Sequence, residues 1–208
     1  MSNLKSLVIA TGLLAASSSA LAIPTTVTID FHTLASGNEY GVPTLMFDIN
    51  GNVTTNAASS ILDITGTTGF AYLDNDPGLG VCANINSSAQ CAPSSDDNVS
   101  HHDATSTTAA YDEVLHFNFD FDVAIDAIYF NNRHDGDGSL EGDSVMFNGV
   151  STALLGTGNG FYSTFLANMG TASSFSAGYD SSQDCKYNGT GSYSANNCEF
   201  YVSKLVFT

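Results

Sequence analysis

The densest group of side chains that could do chemistry lies in an acidic, glycine-rich loop at residues 135–143. The loop carries five oxygen-bearing side chains, those of Asp135, Asp137, Ser139, Glu141 and Asp143. Ca²⁺ takes about six to eight hard oxygen ligands, and glycines between alternate acidic residues let a backbone curl around the ion. The glycine and the last glutamate are not placed as in an EF-hand. We expect a calcium site here, and a solvated acidic turn is the alternative.

Two other acidic turns are weaker candidates for calcium ligands. Their carboxylates are Asp74 and Asp76 in the first turn and Asp96 and Asp97 in the second. Asp, Asn, Pro and Gly in such clusters are also ordinary turn residues. Either turn would gain a further carboxylate if the fold brought it beside Glu113 or Asp126.

The adjacent His101 and His102, followed by Asp103, raise the question of a zinc site or a hydrolase. Neutral imidazole is a common metal ligand and a general base. Neighbouring side chains on an extended backbone point to opposite sides, so both rings could reach one ion only in an irregular loop. We expect an exposed pair without a ligand. The sequence has no nucleophile elbow and no metalloprotease helix motif, and we assign no catalytic residues.

The first 22 residues have the pattern of a secretory signal peptide. Lys5 is followed by an apolar run at residues 7–16 and by the small-residue motif Ala20-Leu21-Ala22. A membrane-spanning helix needs roughly 20 apolar residues and has no such cleavage site. We therefore expect a secreted mature chain at 23–208 without a transmembrane segment.

Four cysteines, Cys82, Cys91, Cys185 and Cys198, form two closely spaced pairs. An even number of cysteines in an exported chain indicates disulfides. The spacing favours one bridge between Cys82 and Cys91 and another between Cys185 and Cys198, although three connectivities are formally possible. A zinc site is the alternative, but neither pair has the short spacing of a zinc knuckle.

The mature chain is strongly acidic. Once Lys5 is removed with the signal, 21 acidic residues face the three cations Arg133, Lys186 and Lys204, which gives a formal charge of −18. Such a field repels phosphate backbones, since binding them requires clustered Lys and Arg. We expect no nucleic-acid partner.

Strand patterns must position these side chains, because no window after the signal shows sustained helical periodicity. Apolar and polar residues alternate over 115–121, which predicts a half-buried strand. The side chains expected in its core are Leu115, Phe117 and Phe119. A turn at Asp122 and a second strand at 123–130 should follow.

Further short strands are expected along the chain, separated by clusters of Gly, Asn, Asp and Ser. They are placed at 26–34, 44–49, 61–65, 70–73, 144–147, 173–177 and 200–207. This arrangement predicts an all-β fold, a single-domain β-sandwich of jelly-roll type that spans 23–208 and is stapled by disulfides.

Nine tyrosines and the absence of tryptophan bear on sugar binding, since sugar-binding platforms use exposed aromatic faces. Five tyrosines fall in predicted loops or at strand edges: Tyr40, Tyr162, Tyr179, Tyr187 and Tyr193. Ordinary surface tyrosine is the alternative reading for each of them.

A family resemblance extends over residues 71–131. Its parts are Gly78-Leu79-Gly80-Val81, the short excursion between Cys82 and Cys91, the Glu113-Val114-Leu115 strand and the following strand from Val123 to Phe130. These features resemble secreted bacterial proteins of the PEP-CTERM, exosortase-sorted type. The resemblance implies a β-sandwich exported by a Gram-negative bacterium and associated with extracellular polysaccharide or the cell surface, without known catalytic residues. The Pro-Glu-Pro motif, membrane helix and basic tail of that family do not follow here, so we expect release rather than anchoring.

The sequence thus predicts a secreted, non-catalytic extracellular module for cell-surface or matrix contacts, stabilised by calcium and associated with carbohydrate. Its expected partner is an extracellular polysaccharide or a surface protein. One alternative is a subunit that self-associates through exposed strand edges into a filament or sheath. Another is a secreted jelly-roll hydrolase that uses Asp112, Glu113 or the acidic loop.

Overall fold

A computed structural model describes residues 26–35, 37–67, 69–92, 97–102, 111–132, 140, 143–156, 162–182 and 199–208, and for His102 only the backbone. Several predictions fall outside the described residues. They concern the signal peptide at 1–22, Asp96, the loop residues Asp135, Asp137, Ser139 and Glu141, the bridge between Cys185 and Cys198, and the side chains of Tyr187 and Tyr193.

The described chain is almost entirely β-structure, as the alternating patterns predict. Its strands are β1 (Val27–Asp30), β2 (Tyr40–Val42), β3 (Leu45–Phe47), β4 (Val53–Thr54), β5 (Leu62–Gly66), β6 (Phe70–Asp74), β7 (Gly78–Cys82), β8 (His101–His102), β9 (Tyr111–Asp112), β10 (Val114–Asn131), β11 (Ser144–Phe147), β12 (Val150–Ala153), β13 (Leu155–Gly156), β14 (Thr164–Ala167), β15 (Thr171–Gly178) and β16 (Tyr201–Phe207). The helical residues described are a short α-helix, α1 (Phe31–Ala35), and a 3₁₀ turn at Ala57–Ser59. The all-β class is confirmed.

Strand β10 is the longest element and covers both strands that the sequence predicts in this region. Leu115 and Phe117 are fully buried and Phe119 is 7% exposed, which confirms the expected core face. The turn expected at Asp122 is wrong, because the strand continues through this residue. A shift in the pairing with β15 takes up the irregularity, as a β-bulge does when it bends a strand without ending it.

The two halves of β10 pair with different neighbours. The first half lies between β5 and β15, and the second half lies between β14 and β16, all antiparallel. The main hydrogen-bonded path runs β12-β11-β15-β10-β16-β7-β6-β2. Among the described strands, pairing therefore makes one large antiparallel sheet of 14 strands organised by β10, and β8 and β9 form a separate two-stranded sheet. The packing of two sheets into a sandwich stays a prediction.

Aromatic side chains join β10 to its neighbours in the core. Phe117 stacks on Phe175 of β15 with ring centroids 4.4 Å apart, and Phe119 meets Phe207 of β16 edge-on at 5.0 Å. Burying a phenylalanine side chain contributes about 1.5–3 kcal/mol to folding. The buried apolar side chains form one cluster, so both groups of strands share a core.

Helix α1 interrupts the strand expected at 26–34. Asp30 ends β1, and its Oδ1 accepts a hydrogen bond from the backbone N–H of Thr33 at 2.8 Å. This bond satisfies a donor that the first helical turn would otherwise leave open. Phe31 is fully buried, whereas His32 remains half-buried at the surface. The capped helix therefore replaces the end of the predicted strand, and His32 lies on α1 instead of on β1.

The expected bridge between Cys82 and Cys91 is present, with the two Cα atoms 5.9 Å apart. It closes a loop, residues 82–91, that packs against β2. The Gly41 N–H donates to the carbonyl of Ala89 at 2.7 Å. A Cβ atom at Gly41 would lie 2.8 Å from the Ile85 side chain, so a larger residue would push the loop away. The disulfide-closed loop is therefore held by the bridge between its ends and by its contact with β2.

Candidate functional site

Of the five ligands expected in the acidic loop, the structure describes only Asp143. This residue is half-buried directly before β11. Its N–H donates to the carbonyl of Leu140 at 3.0 Å, and its carbonyl accepts from the N–H of Leu154 at 2.8 Å. The end of the loop is thus tied to the β12–β13 connection, and calcium binding by the loop stays a prediction.

The weaker calcium candidates occupy different surroundings. Asp74 is buried at the end of β6, and Asp76 is exposed in the turn that follows. Asp97 accepts a hydrogen bond from the Tyr201 hydroxyl at 2.6 Å. Across the described ranges, no three His, Cys, Asp or Glu side chains come together in a way that could hold a metal ion. The described carboxylates of these turns, Asp74, Asp76 and Asp97, therefore form no such group with Glu113 or Asp126.

Two of these carboxylates, Asp74 and Asp97, nevertheless affect the pKa of Tyr72. Its pKa rises to about 12, first because burial disfavours the phenolate and further because Glu39, Asp97 and Asp74 are negatively charged. The hydroxyl therefore stays protonated at any physiological pH. The arrangement concentrates negative charge around β6 without building a closed ion site from the described residues.

Three carboxylates, Glu113, Asp180 and Glu199, form what we call the buried carboxylate region. Glu113 is fully buried and accepts hydrogen bonds from the N–H and the hydroxyl of Ser100 at 3.1 and 3.2 Å. Glu199 is 7% exposed and accepts from the Asn98 amide at 3.0 Å. Neutral donors of this kind stabilise a buried carboxylate, which would otherwise lose its hydration.

Neutral donors also stabilise Asp180, and here both carboxylate oxygens accept hydrogen bonds. One of its oxygens accepts from the hydroxyls of Ser144 and Ser151, both at 2.5 Å, and the other accepts from the hydroxyl and N–H of Ser182. Burial alone would raise the pKa of Asp180, but these hydrogen bonds outweigh it and hold the pKa below its ordinary value. Asp180 thereby fastens the β11–β12 hairpin to the chain that leaves β15.

Of the two adjacent histidines, only His101 has a described side chain. His101 lies opposite Asp112 in the β8–β9 pair, and its Nδ1 is 2.6 Å from Asp112 Oδ1. Both side chains are about one-third exposed, 34% and 33%. Ser181 donates to the other oxygen of Asp112 at 2.8 Å. Asp112 and Glu113, the carboxylates considered for a hydrolase, are thus both bound by protein groups.

A second region of the described surface combines aromatic rings with a cation. We call it the aromatic face, and it consists of the rings of Tyr129, Tyr162 and Phe165 together with Lys204. Tyr129 of β10 lies opposite Phe165 of β14 and opposite Lys204 of β16 in the strand register. Cross-strand partners share one face of a sheet, so pairing alone gathers these side chains. The Tyr129 ring centroid is 5.5 Å from that of Phe165 and 6.1 Å from that of Tyr162.

Lys204 is the only Lys or Arg in the part of the chain that the structure describes. Its Nζ lies 4.2 Å from the Tyr129 ring centroid and 4.0 Å from that of Tyr162. Such cation–π contacts contribute about 0.5–1 kcal/mol at exposed sites. The three ammonium donors sit on a flexible stem, so they can also reach a ligand placed on the rings.

Asp30 and His32 form the rim of the aromatic face. The Tyr162 hydroxyl donates to Asp30 Oδ2 at 2.6 Å, and the His32 ring meets Tyr162 edge-on with centroids 6.4 Å apart. His32 Nδ1 donates to the backbone carbonyl of Asp76. Burial and the Asp30 carboxylate raise the pKa of Tyr162 to about 12, so its hydroxyl remains a donor. Tyr162 itself is 36% exposed and presents ring surface to solvent.

A polar pocket with a volume of 260 Å³ lies where the chain leaves α1. Its lining residues are Gly37, Asn38, Glu39, Asn75 and Gln90. Asn75 Oδ1 accepts a hydrogen bond from the Gly37 N–H at 2.8 Å, which joins two walls of the pocket. Gln90 belongs to the disulfide-closed loop. The bridge between Cys82 and Cys91 thus positions one wall.

The tyrosine expectations have mixed outcomes. Tyr162 is exposed as expected, and Tyr40 is half-buried in β2. Tyr179 lies directly after β15, at a strand edge as expected, but it is only 5% exposed and so offers no accessible ring surface. Burial and the nearby Glu199 raise its pKa. Sequence reasoning missed Tyr129 and Lys204, since only the strand register makes them cross-strand neighbours.

No protein-family model, no curated protein and no solved structure matches this chain. The class that its fold and site define is an all-β protein with one large antiparallel sheet, a disulfide-closed loop and a partly exposed aromatic face. Among the described residues, no helix has the length and apolar character needed to cross a membrane.

Proposed function

We propose that this chain is a secreted, non-catalytic module that binds carbohydrate in cell-surface or matrix contacts. The observation that carries the proposal is the aromatic face. Pyranose rings present apolar C–H surfaces that can stack on aromatic rings, and their hydroxyls form hydrogen bonds with polar groups at the edge. Tyr129, Tyr162 and Phe165 supply partly exposed rings, while Asp30 and Lys204 supply an acceptor and a donor beside them.

Export is supported by one feature of the sequence and one feature of the structure. Residues 1–22 have the pattern of a signal peptide, and the disulfide between Cys82 and Cys91 is typical of oxidising compartments. The resemblance of residues 71–131 to exosortase-sorted proteins of Gram-negative bacteria points the same way. An extracellular polysaccharide is the partner that this location and the aromatic face favour together.

The negative charge of the protein favours neutral over anionic glycans as ligands. The whole chain has a formal charge of −17, and Lys204 is the one fixed cation beside the described aromatic rings. Polyanionic glycans would meet a repulsive field over much of the surface. We therefore propose neutral polysaccharides as ligands.

The test is native gel electrophoresis of the mature protein in gels that contain laminarin, hydroxyethyl cellulose or galactomannan. Binding retards migration in at least one of these neutral polysaccharides. The substitution Tyr162→Ala should weaken that binding at least fivefold, because it removes a stacking surface worth about 1 kcal/mol. Gels with alginate test the charge argument and should show no retardation.

Two variants serve as controls for this experiment. Tyr162→Phe keeps the ring and should retain most of the binding. Tyr111→Ala removes a half-buried tyrosine of β9, outside the aromatic face, and should bind like the unaltered protein. Failure of the unaltered protein to bind any of the three neutral polysaccharides would contradict the proposed function.

We further propose that Ca²⁺ stabilises the module through the acidic loop at 135–143. The alternation of acidic residues and glycines in the sequence supports this. The double substitution Asp135→Ala with Asp137→Ala should lower the melting temperature in millimolar calcium but not in excess chelator. Equal shifts in both conditions would refute calcium binding by the loop.

Self-association into a filament or sheath is a second candidate, supported by the free edge of the sheet. Among the described strands, β12 pairs with β11 alone, and Val150 at its start is 64% exposed. Leu155 in the neighbouring β13 is 54% exposed. Exposed strand edges with apolar side chains can pair between chains. Regular assemblies in electron micrographs, abolished by Val150→Lys, would favour this candidate over a soluble glycan-binding module.

A further inference from the structure

We propose that the polar pocket is a second sugar subsite, which takes one neutral pyranose ring of the same glycan that stacks on the aromatic face. This inference rests on the proposed function and names where the next ring of the ligand binds. It follows from the pocket's chemistry, its size and its connection to the aromatic face.

The lining side chains match the hydroxyls of a sugar. Asn38, Asn75 and Gln90 carry primary amides, each with donors and an acceptor, and all three residues are exposed. The Asn75 oxygen is occupied by Gly37, but its NH₂ group makes no hydrogen bond to the described residues, and neither do the side-chain amides of Asn38 and Gln90. A ring of hydroxyls, each both donor and acceptor, would satisfy these groups without burying a charge.

The size and charge of the pocket favour one neutral sugar ring over other ligand classes. A volume of 260 Å³ is slightly below the roughly 300 Å³ at which pockets for drug-sized ligands begin, which suits one monosaccharide unit. Among the described lining residues Glu39 is the only charged one, so an anionic sugar would be repelled. A single carboxylate is also a poor centre for Ca²⁺, which prefers about six to eight oxygen ligands. Apolar ligands would leave the amides without partners.

Helix α1 and the β6–β7 turn connect the pocket to the aromatic face. His32 of α1 contacts Tyr162 on one side and the carbonyl of Asp76 on the other. Asn75, the neighbour of Asp76 in that turn, lines the pocket. Gly37 and Asn38 lie two and three residues beyond Ala35, the last residue of α1. The aromatic rings and the amide-lined pocket are thus joined through α1 and the β6–β7 turn, so we expect one glycan chain to contact both.

The experiment is isothermal titration of the mature protein with two neutral hexasaccharides, laminarihexaose and cellohexaose. The double substitution Asn38→Ala with Gln90→Ala removes two exposed amides and should weaken binding of the preferred hexasaccharide about tenfold, as expected for two lost hydrogen bonds. Asn118→Ala, an exposed asparagine on β10 that does not line the pocket, is the matched control and should leave affinity unchanged.

A second readout reports on the pocket directly. Side-chain NH₂ signals of Asn38, Asn75 and Gln90 in ¹H–¹⁵N spectra should shift when the hexasaccharide is added, whereas the Asn118 signal should not. The same titration with CaCl₂ should leave these signals in place. Shifts on calcium addition would assign the pocket to a cation and overturn the inference.

The outcomes separate the inference from the proposed function. If Tyr162→Ala weakens hexasaccharide binding while the pocket variant binds normally, the pocket is not a subsite and the aromatic face remains the binding site. If the unaltered protein binds neither hexasaccharide nor any neutral polysaccharide, both proposals are overturned. Loss of affinity in both variants, with Asn118→Ala unchanged, supports two subsites on one ligand.

Discussion

The aromatic face and the buried carboxylate region use polar side chains in opposite ways. Glu113 and Asp180 are buried, and both already accept hydrogen bonds from protein donors. Tyr162 and Lys204 stay at the surface, where ring area and ammonium donors remain accessible to a ligand. Buried, satisfied polar groups fix the fold, while exposed polar groups beside aromatic rings retain the capacity to bind. The two regions should therefore respond differently to substitution.

The largest expected effect is on folding, from Asp180→Ala. The change leaves the buried hydroxyl of Ser144 and that of Ser151 without their shared acceptor, so the free energy of unfolding should fall by about 3 kcal/mol. Urea denaturation measures it. Asp120→Ala, which removes an exposed carboxylate on β10, is the control and should change stability little. A fall in hexasaccharide affinity with unchanged stability would place Asp180 in a binding site. It would contradict the assignment of the buried carboxylate region to folding and of the aromatic face to binding.

Removal of the disulfide by Cys82→Ala with Cys91→Ala should have the next largest effect. Closing a loop with a sequence separation of 9 stabilises by about 2–3 kcal/mol in the chain-entropy model, so urea denaturation should show a loss of that size. The loop also carries Gln90, so hexasaccharide affinity should fall as well. A variant that loses stability but keeps full affinity would show that the bridge does not position the pocket wall.

Lys204→Met should have a smaller effect, confined to the aromatic face. The substitution keeps an apolar stem over the rings but removes the ammonium contacts with Tyr129 and Tyr162, so the free energy of unfolding should fall by about 0.5–1 kcal/mol. Hexasaccharide affinity should fall about two- to threefold through the loss of one donor. Tighter binding by Lys204→Met, measured by titration calorimetry, would mean that the lysine blocks the rings instead of assisting the ligand.

The smallest expected effect is a pH dependence at the rim. Burial alone would raise the pKa of Asp30, but hydrogen bonds from Tyr162 and Thr33 outweigh it and lower the pKa from its ordinary 3.8. A lowered folded-state pKa gives stability that is present above the ordinary value and lost as the pH falls through the folded value. The stability difference between the unaltered protein and Tyr162→Phe should therefore be present at pH 7 and shrink below about pH 4. A difference that grows on acidification would reverse the sign of this linkage.

The sequence predicts the β class because strands leave a local signature. Alternation at Leu115, Phe117 and Phe119 identifies the buried face of β10 without knowledge of its partners. The bridge between Cys82 and Cys91 is predictable for a similar reason, since its two ends are close in sequence. The turn expected at Asp122 fails because a charged residue in a long strand can face solvent at a pairing irregularity without ending the strand.

The aromatic face could not be predicted, because it is assembled by register. Tyr129, Phe165 and Lys204 lie on three different strands, and nothing local in the sequence states that they are cross-strand neighbours. The helix at α1, which connects the face to the pocket, depends on one capping carboxylate, Asp30, in a segment whose pattern otherwise favours a strand. Sites built from cross-strand contacts are therefore the part of the molecule that a single sequence conceals most completely.

Glycan binding by the aromatic face is tested most directly by NMR of the mature protein with ¹³C-labelled tyrosine during titration with laminarihexaose or cellohexaose. The ring signals of Tyr129 and Tyr162 should shift, while those of the buried Tyr72 and Tyr201 should not. Absence of any shift at Tyr129 and Tyr162 with both sugars, or shifts confined to tyrosines outside the aromatic face, would contradict binding by this face.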